Sequence, residues 1–178
     1  MLKNLLSIRP MQNADLEQVT AIDQASFSMS WPKSAFTFEL NENPLSMLWV
    51  AEIQEPDHRK RVVGIIVIWL ILDEAHIATL AVHPHNRRQG IAQELISTAL
   101  EAAIEKGMQQ ATLEVRASNI AAQELYHRFN FEIVGQRHRY YQDNGEDAII
   151  MTAHHLNSEY LKWLRSNDWR KARKVAPT

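Results

Sequence analysis

The run Arg87-Arg88-Gln89-Gly90-Ile91-Ala92 is the segment of this 178-residue chain whose residue types and spacing speak most directly of chemistry. An apolar stretch from about Ala75 to Val82 precedes it, and an amphipathic helix from Ile91 to about Lys106, stopped by Gly107, follows it. The first-turn N–H groups of a helix have no acceptor inside the helix, and the macrodipole puts partial positive charge at the same end, so an anion is the natural occupant. Gly90 permits a backbone approach that a Cβ would block, and Ala92 keeps a neighbouring position small. Arg87 and Arg88 add mobile cations at the rim, which suits a diphosphate better than a single carboxylate. The segment has neither the lysine of the mononucleotide loop nor the three glycines of the dinucleotide fingerprint. By itself it is either a phosphate site or an ordinary helix start.

Two further candidates follow. Glu114 interrupts the apolar strand sequence Thr112-Leu113-Glu114-Val115-Arg116, and Tyr126 ends Ala121-Ala122-Gln123-Glu124-Leu125-Tyr126. Taken singly, Glu114 is an exposed strand carboxylate or a partner of Arg116, and Tyr126 is a core tyrosine whose hydroxyl reaches water. Taken together, they lie on the strand and the helix that follow the anion turn in sequence, and ligands of α/β sheets gather at the carboxyl ends of strands.

The elements that must position these groups are legible from periodicity and turn chemistry. A strand covers about Leu6 to Pro10, and a helix capped by Asn13 runs to Ser26 with Leu16, Val19 and Ile22 at helical spacing. After a break over Phe27 to Pro32, Ser34 is the expected cap of a second helix reaching about Asn41. A strand over Met47 to Ile53, a hairpin loop over Gln54 to Arg61 and a long apolar strand over Val62 to Leu72 lead through Asp73-Glu74 into the strand before the anion turn. Beyond Gly107 come a strand over Ala111 to Val115 and a helix capped by Asn119 and stopped near Phe129 by Asn130. Two last strands, about Phe131 to Tyr141 and Glu146 to His154, flank the turn sequence Asp143-Asn144-Gly145. This order predicts an α/β (α+β) fold with a mixed, mostly antiparallel central sheet flanked by helices and a βαβ unit in its second half.

The spacing Arg-x-x-Gly-x-Ala from Arg87 to Ala92 is that of the acyl-CoA pyrophosphate motif of the GNAT acetyltransferases. The same resemblance is carried by Leu72-Asp73-Glu74-Ala75, by Leu113-Glu114-Val115-Arg116-Ala117-Ser118-Asn119, by Leu125-Tyr126 and Phe129-Asn130-Phe131, by Arg139-Tyr140-Tyr141 and by Glu146-Asp147-Ala148-Ile149-Ile150-Met151. From its first strand to about His155 the chain resembles that superfamily, and within it the RimI branch of bacterial ribosomal-protein alanine N-acetyltransferases. The resemblance implies the GNAT acyl-CoA N-acyltransferase fold, acetyl-CoA as cosubstrate, no metal, and direct transfer of acetyl in a ternary complex to a protein N-terminal α-amine. The acceptor it implies is an alanine of a small-subunit ribosomal protein.

Position by position, the resemblance implies that Leu80, Ala81 and Val82 bind the pantetheine through their backbone. Arg88, Gln89, Gly90, Ile91, Ala92 and Gln93 would hold the pyrophosphate with Arg87 at the rim, and Asn119 would also touch the cofactor. Glu114 matches the family's general base and Tyr126 its general acid. The chemistry suits them: an α-ammonium is no nucleophile until a carboxylate takes its proton, directly or through a water, and a phenol can protonate a departing thiolate. A backbone N–H near Val82 is the expected donor to the thioester oxygen. The chain departs from the family pattern at Asn130 and Ala92, where glycine is usual, and over Phe27 to Pro32, a loop that borders the acceptor site in relatives.

Composition bounds the remaining possibilities. With 46% hydrophobic residues and a formal charge of −2, the chain can bury one core and gives no general reason to bind nucleic acid. It has no cysteine, which excludes a disulfide and a cysteine acyl-enzyme. The apolar part of Met1 to Leu6 is too short for a signal peptide and Val62 to Leu72 too short to span a bilayer, so no membrane role and a cytoplasmic location are expected. One acetyltransferase domain is expected over residues 1–156. The extension over 157–178 carries six basic residues (Lys162, Arg165, Arg170, Lys171, Arg173, Lys174) against Glu159 and Asp168. Tyr160, Leu161 and Leu164 favour a short packed helix there, over a basic tail touching RNA through Tyr160, Trp163 and Trp169. Metal binding by His83 with His85 or by His154 with His155 is disfavoured, because no carboxylate partner stands at ligand spacing and the adjacent His154 and His155 point to opposite faces. Two other functions fit the same motifs: acetylation of a small-molecule amine or of another protein terminus, and a silent acyl-CoA-binding module, which would need the anion turn but neither Glu114 nor Tyr126.

Overall fold

A computed structural model describes residues 6–171. The apolar start up to Leu5 and the basic residues Arg173 and Lys174 lie outside them. The strands are β1 (Leu6–Pro10), β2 (Ser46–Gln54), β3 (Lys60–Ile71), β4 (Glu74–Val82), β5 (Gln110–Arg116), β6 (Glu132–Arg137) and β7 (Ala148–Ala153). The helices are α1 (Leu16–Ser26), α2 (Lys33–Asn41), α3 (Ile91–Glu105), α4 (Ile120–His127) and α5 (Ser158–Ser166). The strands form one sheet in the order β1-β2-β3-β4-β5-β7-β6. Neighbours are antiparallel at β1–β2, β2–β3, β5–β7 and β6–β7, and β4 runs parallel to β5. The expected mixed, mostly antiparallel sheet with one βαβ unit is therefore the observed one.

Two compact units divide the chain. The first comprises the residues up to Trp69 with Ala78–Ala99, the second Leu70–Ile77 with the residues from Leu100 onward. In the first unit β3 is buried without interruption from Val62 to Ile68, which is why its sequence lacks the alternation of a one-sided strand. Val19, Ile22, Phe36, Val50, Ile65 and Val67 are core residues of this unit. Gly64 lets α3 settle against β3: a Cβ there would meet Leu95 Cδ1 at 3.0 Å, Ala81 O at 3.2 Å and Ile91 Cγ2 at 3.3 Å. Close packing thus fixes the start of α3, the part of the helix the anion turn depends on.

Helix starts differ from expectation in two places. Asn13 opens a 3-10 turn (Asn13–Asp15) capped by Gln12, whose N–H donates to Asp15 Oδ2 at 2.8 Å. The Asn13 side chain bonds Asn41 instead, so a long-range pairing overrides the local capping preference. Pro32 takes the N-cap of α2 and Ser34 lies within its first turn. Proline there has the extended ψ a cap requires and loses no needed N–H.

In the second unit β5 alternates strictly, burying Ala111, Leu113 and Val115 and leaving Thr112, Glu114 and Arg116 on the partly open face. β6 and β7 are shorter than the sequence suggests. Residues 138–147 form an irregular connection in which Asp147 Oδ1 accepts the Arg139 N–H at 2.7 Å and Arg116 pairs with Asp143 and Glu146. The turn at Asp143-Asn144-Gly145 forms as expected, with the Tyr141 N–H donating to Glu146 O at 3.1 Å and Gly145 at φ 70°, while side-chain charges rather than strand pairing hold the rest of the connection. α5 caps with Asn157 and buries Tyr160 and Leu164, with the Tyr160 hydroxyl donating to Phe129 O. Arg165 pairs with Glu101 and Glu105 of α3. Trp169, 1% exposed, lies 5.2 Å from the Phe129 ring, so this aromatic of the extension is core rather than surface.

Two predictions follow from this packing. Trp169→Ala should lower the unfolding free energy by about 3 kcal/mol, read by urea denaturation, because a large buried ring leaves a cavity. Arg9 links Asp15 at 2.8 Å and Glu52 at 2.7 Å. Burial raises both carboxyls, but the Arg9 hydrogen bonds and charge, aided by the Gln12 amide at Asp15 and Lys60 at Glu52, bring both below their ordinary values. A carboxylate depressed in the folded state stabilises above its unfolded pKa and ceases to as pH falls through the folded one. Stability should therefore drop as pH is lowered below about 4, and Arg9→Ala should flatten that acid dependence while costing about 2 kcal/mol at neutral pH.

Candidate active site

After Val82 the chain makes a 3-10 turn at Pro84–Asn86 and then passes through two left-handed residues, Arg88 (φ 60°) and Gly90 (φ 84°). The first amide of α3 with a backbone acceptor is that of Glu94, which donates to Gly90 O at 3.1 Å. The amides of Ile91, Ala92 and Gln93 have no backbone acceptor among the described residues, as the geometry of a helix start requires. At Gly90 the space beside the backbone is open, with only Gln93 Oε1 at 3.6 Å from a built Cβ. Two left-handed residues ahead of a row of amides without a backbone acceptor form the kind of turn that can hold an anion.

Arg87 departs from expectation. Its Nε donates to Val82 O at 3.0 Å and its Nη2 to Ser26 Oγ at 3.1 Å, so it is a fixed tie between the end of β4 and the end of α1 rather than a mobile cation. Arg88 is exposed at the rim. Burial, then the positive charges of His85, Arg61 and Arg87, hold the His83 imidazole below its usual value.

Glu114 points from the partly open face of β5, its side chain 12% exposed. Oε2 lies 3.2 Å from His76 Nε2 on β4, and Oε1 lies 3.1 Å from Arg137 Nη2 on β6. Tyr126 is buried on α4 with its ring 5.7 Å from that of Phe131. Burial, and next the neighbouring Tyr141, push its phenol well above the ordinary value. Tyr141 is itself pushed up, first by burial, with Tyr140, Glu114 and Glu146 adding to this and Arg116 opposing it. Tyr141 therefore stands within electrostatic reach of both Glu114 and Tyr126. Asn119 caps α4 by accepting the Ala122 N–H at 3.2 Å, as its sequence position predicts.

His76, Arg137 and Tyr141 were not singled out by the sequence. His76 lies on β4 in register with Thr112, two residues before Glu114, a signal readable only once the parallel pairing is known. Arg137 reaches Glu114 from β6 although β7 lies between β6 and β5, a relation no local pattern encodes. Arg116, the alternative partner for Glu114, is engaged by Asp143 and Glu146 and stacks 3.8 Å over the Tyr141 ring. Hydrogen bonds from Ser118, followed by Arg116 and Asn144, hold the Glu146 carboxyl down to about 2. In the first unit, fully buried Asp23 accepts the Trp31 N–H at 2.6 Å and fixes the loop that begins at Phe27. Burial raises its carboxyl, partly offset by Trp31 and the Thr79 hydroxyl.

Among the described residues no group of three or more His, Asp or Glu could hold a metal ion, and no helix is long and apolar enough to cross a membrane.

Residues 16–131 match the model of the acetyltransferase (GNAT) family. A Bacillus subtilis (strain 168) protein that carries the provisional name [ribosomal protein bS18]-alanine N-acetyltransferase is 38% identical over 150 residues, which span 84% of this chain and 96% of that one. The [ribosomal protein bS18]-alanine N-acetyltransferase of Escherichia coli (strain K12) is 29% identical over 147 residues, 82% of this chain and 95% of its own. The crystal structure of the ribosomal-protein-S18-alanine N-acetyltransferase from Escherichia coli superposes with a TM-score of 0.73 at 27% identity, covering 84% of this chain and 94% of that one. The anion turn, the sheet order and these matches agree: the chain belongs to the GNAT acetyltransferase family and is an acetyl-CoA-dependent N-acetyltransferase.

Proposed function

We propose that this enzyme transfers acetyl from acetyl-CoA directly to the α-amine of a protein N-terminus in the cytoplasm, and that the acceptor is the N-terminal alanine of a small-subunit ribosomal protein. The near-complete coverage of two bS18-alanine acetyltransferases supports the acceptor class. The observation that supports the chemistry is that one unit holds a carboxylate on the partly open face of β5, Glu114, gripped by His76 and Arg137, and a buried phenol on α4, Tyr126.

In this reading the amides of the turn from Arg88 to Gln93 hold the diphosphate, with Arg87 fixing the turn from behind. The backbone of Leu80, Ala81 and Val82 lies past His76↔Thr112, where the pairing of β4 with β5 ends, and binds the pantetheine. Asn119, at the start of α4, adds a contact to the cofactor. Acetyl-CoA supplies the activated thioester. Glu114 removes the proton that keeps the acceptor amine from attacking, and the Val82 N–H donates to the thioester oxygen as negative charge gathers there. Tyr126, kept protonated by its buried setting, gives its proton to the departing thiolate.

Intact-mass measurement of ribosomal proteins from cells with and without this gene tests the acceptor: one protein should lose one acetyl group when the gene is absent. No mass change in any ribosomal protein would move the acceptor to another terminus or a small amine. Tyr126→Phe should lower kcat roughly 100-fold while acetyl-CoA affinity, read by calorimetry, stays unchanged. Gly90→Val should weaken acetyl-CoA binding roughly tenfold, since a β-branched residue is strained at the left-handed φ of this position.

A further inference from the structure

Glu114 is held from two sides, and its two partners differ in what they can do with a proton. Arg137, 3.1 Å from Oε1, keeps its charge throughout the pH range of a folded protein and balances one negative charge without exchanging a proton. His76, 3.2 Å from Oε2, belongs to the residue type whose charge changes between pH 5 and 8. The side chains of His76 and Glu114 are 21% and 12% exposed, so the pair is neither sealed in the core nor dissolved in bulk water.

A proton resting on Glu114 would cancel the charge that pairs with Arg137. The same proton resting on His76 restores that pair and creates a second one, between carboxylate and imidazolium. We propose that His76 and Glu114 form one proton-accepting unit in which the proton Glu114 takes from the acceptor's α-ammonium moves on to His76 Nε2.

This rests on the reading of Glu114 as the base. The N–H bond of the ammonium breaks as an O–H bond forms at Glu114, then that O–H bond breaks as the Nε2–H bond forms on a neutral imidazole whose own proton is on Nδ1. The imidazolium later releases the proton to solvent, and no electrons are transferred. His76 serves the reaction through Glu114, as a positioning residue and proton store. Titratable or charged groups facing the pair include Arg137, Tyr141 and, beyond Tyr141, the mutually paired Arg116 and Glu146. On β4 itself, Glu74 lies on the same face and accepts a hydrogen bond from Gln110 at 3.1 Å.

The test is the pH profile of kcat/KM with an alanine-initiated peptide for the wild type, His76→Gln, His76→Ala and Glu114→Gln, with acetyl-CoA affinity as the check on folding. The wild type should show an acidic limb besides the limb of the peptide amine. His76→Gln should lose the acidic limb and about tenfold in rate at neutral pH, and added imidazole should partly restore His76→Ala. A His76→Gln enzyme with an unchanged profile and a rate within twofold of wild type, or a His76→Ala enzyme deaf to imidazole, overturns the proton store. If Glu114→Gln alone is inactive in that case, the base reading stands. Full activity in Glu114→Gln overturns both.

Discussion

Between β4 and α3 the backbone must leave a strand, enter a helix and keep the first amides of that helix uncovered, and it does so through Arg88 and Gly90 at φ 60° and 84°. A left-handed arginine costs roughly 1–2 kcal/mol, so the surrounding structure has to hold it there. It does so from two directions. Arg87 ties the turn to Val82 and Ser26, and the absent Cβ of Gly64 lets Ile91 and Leu95 of α3 pack down on β3. The anion concavity is therefore set by the packing of the first unit and owes little to the charges at its rim.

In the second unit lie the two groups to which the proposed mechanism gives proton transfer. Strict alternation in β5 puts Glu114 on the partly open face, and His76 and Arg137 fix its two oxygens. Burial raises the Tyr126 phenol above its ordinary value. The connection between β6 and β7 is organised by carboxylates, with Glu146 and Asp143 on Arg116 and Asp147 on the Arg139 amide. That network places Tyr141 against the Arg116 guanidinium.

Elements with strong local signals were readable in the sequence: the apolar run of β3, the cap at Asn119, the stop at Asn130 with φ 57°, and the left-handed glycine ahead of α3. Where a distant partner outweighed a local preference, the sequence misled. Asn13 pairs with Asn41 rather than capping, and the strands around the Asp143-Asn144-Gly145 turn end at Arg137 and begin at Ala148, although the turn itself forms, Tyr141 N–H donating to Glu146 O. The partners of Glu114 were illegible for the same reason, since one lies on a parallel neighbour and the other on a strand beyond the next. Arg87 looked like a mobile cation because composition reports charge and says nothing of which carbonyl will engage it.

The most direct measurement of the claim that the turn after β4 grips the diphosphate is calorimetric titration of the wild-type enzyme with acetyl-CoA and with S-acetyl-pantetheine, which keeps the thioester and lacks the diphosphate. Losing two charge-assisted hydrogen bonds at about 1.5 kcal/mol each predicts that S-acetyl-pantetheine binds roughly 100-fold more weakly. Equal affinity for the two would contradict the account.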